Sequence, residues 1–149
     1  MTRTYHTVEQ ANAMLPTLRG AFATVFQLHI YVKVLFALLD QDSFAPDSDE
    51  FELNPRGATP EVTRRLARLR ALLDALRDQI DEIQDLGCVI KDLETGTVGW
   101  YATDDEYGDV FLSWRMGEPN VSFWHEVNTG HIARRPIAEL GTPRAAHRS

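Results

Sequence analysis

The side chains of this 149-residue chain whose types and spacing best suit a chemical site fall in one stretch, Trp114–Arg135, reading WRMGEPNVSFWHEVNTGHIARR. Glu118, His125 and Glu126 supply carboxylate and imidazole groups. His131 lies six residues beyond His125, and Arg134 and Arg135 close the stretch with two guanidinium groups. Imidazole and carboxylate together suit a divalent metal, which makes Glu118, His125 and His131 the candidate ligands, with His6 a further imidazole. The same histidine beside a carboxylate could instead act as acid and base on a small molecule, a site lined by Glu118, Trp124, His125, Glu126 and Arg134. The third reading is structural: His125 bonded within a sheet, Glu118 capping a turn and the tryptophans in the core. The spacing matches no strong metal signature such as HExxH. Arg134 would either hold an anion or pair with Glu118 or Glu126, and pairing is the reading we prefer.

The elements that carry these residues limit what they can do together. Val121–Val127 alternates as a strand, placing Phe123 and His125 on one face and Trp124 and Glu126 on the other. His125 and Glu126 therefore cannot both enter one pocket from a regular strand. Cys88–Leu93, Thr97–Tyr101 and Val110–Arg115 are also rich in β-branched and aromatic residues, with turn-forming residues between them. Connections this short predict an antiparallel meander of about four strands over 88–127.

Upstream the period is helical. Thr7-Val8-Glu9-Gln10 has capping-box spacing, and a helix is expected over about 7–40 with a kink or restart at Pro16. Leu18, Phe22, Val25, Phe26, His29, Val32, Phe36 and Leu39 follow three- and four-residue steps, while Ile30, Tyr31, Val34 and Leu35 make the other side apolar too. A helix apolar nearly all round needs cover on more than one side. In a chain this small, a second copy would supply it. A bilayer is the other cover for such a segment, but Gln27, His29 and Lys33 interrupt it, and a central lysine costs about 2.5–3.5 kcal/mol on insertion scales. After the acidic loop at 40–59, Thr59-Pro60-Glu61 opens a second helix over about 59–86, and Gly87 stops it. Its charges are segregated: Arg64, Arg65, Arg68 and Arg70 come early, and Asp74, Asp78, Asp81, Glu82 and Asp85 late. Antiparallel pairing with a second copy would set each basic half beside an acidic one.

The expectation is an α+β domain over residues 1–140, an antiparallel hairpin of long helices packed on a small antiparallel sheet. Residues 141–149 are expected to be a flexible tail. A formal net charge of -7 argues against nucleic-acid partners, which need a basic face. One cysteine, Cys88, excludes an internal disulfide and fits a reducing cytoplasm. No apolar leader opens the chain, so the reading is a soluble cytoplasmic protein, homodimeric through its helices and not membrane-bound.

Three runs carry a resemblance. Tyr5–Pro16 (YHTVEQANAMLP) is similar to an aromatic-x-x-x-E-x-A-N-x-x-L-P opening, and Leu86–Leu93 followed by Gly96 to a mid-chain signature. Trp114-Arg115-Met116-Gly117-Glu118 and then Trp124-His125-Glu126 are similar to a closing W-[KR]-x-G-E…W-H-E pattern. By these runs the chain resembles the prokaryotic domain-of-unknown-function family 2203. The resemblance implies a small cytoplasmic bacterial protein with a helical hairpin and a small sheet, and it implies no established activity. Two positions depart from the pattern: Gly99 stands where an aspartate is expected, and Ser113 where a cysteine is expected. A non-enzymatic interaction protein is the function the sequence favours; a metal- or small-molecule-binding protein built on Glu118, His125 and Glu126 is the alternative.

Overall fold

Local signals set the helix ends. In the computed structural model, which describes residues 3–130 and 133–141, helix α1 (Val8–Ala13) opens on a complete capping box. Thr7 Oγ1 accepts from the Gln10 N–H (3.1 Å), and Gln10 Oε1 accepts from the Thr7 N–H (2.9 Å), so two orphan donors are satisfied reciprocally. The chain restarts as α2 (Leu15–Gln41), one residue before Pro16. Pro16 sits in the first turn, where its missing N–H would have had no partner anyway. Helix α3 (Pro60–Asp85) is capped by Thr59, whose Oγ1 accepts from the Val62 N–H at 3.2 Å. It ends where Gly87 takes φ +98°, a left-handed backbone that favours glycine.

The described residues divide into two compact units, Met1–Phe22 with Glu82–Ser149, and Ala23–Asp81. The second is the helical hairpin. Leu35 and Leu39 late in α2 are buried with Val62, Leu66 and Leu69 early in α3, so the helices run antiparallel. Phe44, Ala45, Phe51 and Ala58 pack against that cluster. The acidic connection is thereby tied down, and Arg70 adds a bond to the Phe51 carbonyl (3.0 Å).

The first unit holds the sheet, which has five strands rather than four: β1 (Val89–Asp92), β2 (Thr97–Asp104), β3 (Gly108–Arg115), β4 (Phe123–Glu126) and β5 (Arg135–Pro136). They lie in sequence order and every pairing is antiparallel. The added strand is two residues long and contains a proline, so it has no alternation to read, and its place at the edge is where a strand tolerates the lost N–H. Beyond the start of β1, Tyr5 pairs with Tyr101 of β2 and the His6 N–H donates to the Tyr101 carbonyl (2.8 Å).

Register sorts the side chains onto two faces. Val98 lies opposite Trp114, and Trp100, Leu112 and Trp124 form a row across β2, β3 and β4. All five are fully buried. Each indole N–H has a partner: Trp100 donates to Met14 Sδ (3.2 Å), Trp114 to the Glu118 carbonyl (2.9 Å) and Trp124 to the Pro136 carbonyl (3.1 Å). The other face carries Gly99, Ser113 and Phe123 in one row, and Tyr101, Phe111 and His125 in the next. Long cationic side chains lie over that face. Arg3 is 4.5 Å above the Tyr101 ring, Lys91 4.8 Å above Phe111 and Arg134 4.1 Å above Phe123.

Candidate functional site

Of the residues singled out in the sequence, the structure joins Glu118 to Arg134 and sets His125 and Glu126 apart from that pair. The turn after β3 begins at Arg115, and Gly117 takes a positive φ so that Glu118 folds back on it. Glu118 Oε1 accepts from the Arg115 N–H at 2.9 Å. Arg134 then closes on both oxygens of the same carboxylate, Nη1 to Oε1 at 2.9 Å and Nη2 to Oε2 at 2.6 Å. This is the bidentate fork that favours arginine over lysine. Burial pushes the Glu118 carboxyl up, but the Arg134 guanidinium and the Arg115 N–H outweigh it and hold the group below the usual carboxylate range. Glu118 is thus an anion that accepts two bonds at Oε1 and one at Oε2.

Around this pair the rest of the connection is pinned by polar groups from the N-terminal helices. Arg19 donates to the Pro119 carbonyl (2.8 Å), and Asn12 Oδ1 accepts from the Val121 N–H (2.8 Å). Neither residue stood out in the sequence as belonging to the site. The A-N step in the opening run is the only hint of Asn12, and nothing local says that its partner lies 109 residues away.

His125 is buried on the face opposite Trp124 and Glu126, as alternation requires, and Glu126 is exposed. Its Nδ1 lies 2.7 Å from the Glu126 carbonyl, and the ring is 5.2 Å from that of Phe111. A carbonyl can only accept, so Nδ1 carries the proton and the neutral ring keeps its lone pair on Nε2. Burial lowers its pKa; the Glu126 carbonyl opposes this, and the Lys91 and Arg134 cations add to it. The result is a neutral imidazole at neutral pH. Among the described residues no bond joins the side chains of Glu118, His125 and Glu126, and no three His, Cys, Asp or Glu side chains are grouped to hold a metal ion. His131 and the tail beyond Gly141 lie outside the described residues.

The remaining candidates are equally engaged. Trp124 is buried beneath Arg135 (4.8 Å) and Tyr107 (4.8 Å between rings). Arg135 is paired with Glu139 (2.7 Å). Cys88 donates to the Ile83 carbonyl (3.3 Å), and burial pushes its thiol up to about 11, so it is not a thiolate at neutral pH. A cleft of about 220 Å³ exists, but in the hairpin, lined by Val32, Phe36, Phe51, Leu69 and Leu73 among others and by none of the candidate residues.

The opening run thus supplies Asn12 and the closing run Glu118 to the bonds that hold the 116–122 connection. The family model described as Uncharacterized conserved protein (DUF2203) matches residues 4–137. The chain belongs to that family. No curated protein and no solved structure matches it. DUF2203 membership carries no described activity, so it names no reaction for these residues. The two positions that depart from the expected DUF2203 pattern, Gly99 and Ser113, are direct cross-strand partners. A Cβ on residue 99 would overlap the Phe111 ring and stand 2.6 Å from the Leu112 carbonyl oxygen. Phe111 thus fills the space that a side chain at 99 would occupy.

Proposed function

We propose that this DUF2203 member is a non-enzymatic interaction protein that works as a homodimer, with the outward side of α2 as its contact surface. One observation carries the reading. Ile30, Val34 and Tyr31 are 58%, 53% and 45% exposed on a helix whose opposite side is already packed in the hairpin core. Large apolar side chains left in water together on one helix side mark a contact surface. The Glu118–Arg134 cluster supports the non-enzymatic half of the reading, since its carboxylate and guanidinium are engaged with each other in a two-bond fork.

By length and composition α2 could also cross a bilayer, so the test must separate two covers. Light scattering at micromolar concentration should give a two-subunit mass, and Ile30→Glu with Val34→Glu should give the one-chain mass with a cooperative unfolding transition whose midpoint no longer depends on protein concentration. A one-chain mass for the unaltered protein, with co-sedimentation on phospholipid vesicles, overturns the dimer in favour of a lipid surface. A one-chain mass without vesicle binding overturns it outright.

A further inference from the structure

Resting on the dimer reading above, we infer that the two copies of α2 pair antiparallel about a two-fold axis level with Val32, with Ile30 seated against the partner's Val34. The outward stripe consists of Ala23, Gln27, Ile30, Val34, Ala37 and Gln41, all exposed. Its steps are four, three, four, three and four residues, the alternation of a two-helix seam. That series reads the same from either end. Reversing one helix about Val32 therefore sets every stripe residue level with another: Ala23 with the partner's Gln41, Gln27 with the partner's Ala37, and Ile30 with the partner's Val34.

Side-chain volume chooses this direction over the parallel one. Antiparallel pairing gives layers of a small residue against a long one at both ends and two branched aliphatics at the centre, so the helices can stay evenly spaced. Parallel pairing would stack Ala23 on the partner's Ala23 and Gln27 on the partner's Gln27, alternating gaps with overfilled layers. Lys33 lies on one flank of the stripe, where its four-carbon stem can cover apolar surface while the ammonium stays in water.

The test mixes two single variants, Gln27→Cys and Ala37→Cys, oxidises them gently, and maps the cross-linked peptides by mass spectrometry. Native Cys88 is buried and its thiol held protonated, so it stays out of the reaction. The expected result is a link between the two different variants in severalfold excess over either like-with-like link, while each variant alone cross-links poorly. Dominant like-with-like links within a two-subunit mass overturn the antiparallel register and leave the α2 contact standing. A statistical mixture of links overturns any fixed register. A one-chain mass overturns both the register and the dimer beneath it.

Discussion

Arg134 holds both oxygens of Glu118 in a two-bond fork, and its guanidinium lies 4.1 Å over the Phe123 ring, so one side chain ties the turn after β3 to the segment leading into β5. The pair is largely buried, with side chains 13% and 19% exposed. Removing one partner leaves the other charge with little water, a larger loss than an exposed ion pair would give. Glu118→Ala or Arg134→Ala should each cost about 2 kcal/mol in denaturant unfolding. The double variant should cost clearly less than the sum of the two. Strict additivity would mean the fork contributes nothing as a pair.

Gly99 and Phe111 make a second testable contact. The ring occupies the place where a Cβ on residue 99 would stand, and the Leu112 carbonyl crowds it from the backbone side. Gly99→Ala should destabilise by about 2 kcal/mol, because a filled sheet face must shift to admit one methyl group. Adding Phe111→Ala should recover part of the loss attributable to the ring and none of that due to the carbonyl. A Gly99→Ala protein as stable as the original would show that the face is loosely packed.

Protonation should weaken the fold through two histidines before it reaches any carboxylate. Burial lowers the pKa of His6, whose Nδ1 is buried without a hydrogen-bond partner, and of His125. The folded pKa of each is below the unfolded value of about 6.5. The stability each contributes is therefore present above about pH 6.5 and lost as pH falls through its folded pKa, because only the unfolded chain binds the proton readily. Glu118, also depressed in the folded state, adds a further loss only below the ordinary carboxylate range, about pH 4. Unfolding midpoints measured from pH 7.5 to 5 should fall in the unaltered protein. His6→Leu and His125→Gln should each flatten that slope, by at most about 1.4 kcal/mol per pH unit. Slopes identical to the original in both variants would assign the dependence to other groups.

The sequence by itself determined what is settled within a few residues of chain. Thr7 and Gln10 close their capping box, Thr59 caps α3 and Gly87 stops it, since each bond or backbone angle joins near neighbours. Alternation likewise put His125 and Glu126 on opposite faces, because strand geometry admits nothing else. Pro16 marked a helix restart but not its place, which fell at Leu15, where the turn at Met14 lets α2 begin. Only the tertiary structure decided the rest. It set Arg134 on Glu118 rather than Glu126, brought Asn12 to Val121 across 109 positions, and recruited Arg135–Pro136 as a fifth strand. The physical reason is common to all three. A carboxylate, an amide oxygen or an edge strand records in sequence only that it needs a partner, and the partner is selected by which buried groups the packed chain brings within bonding distance.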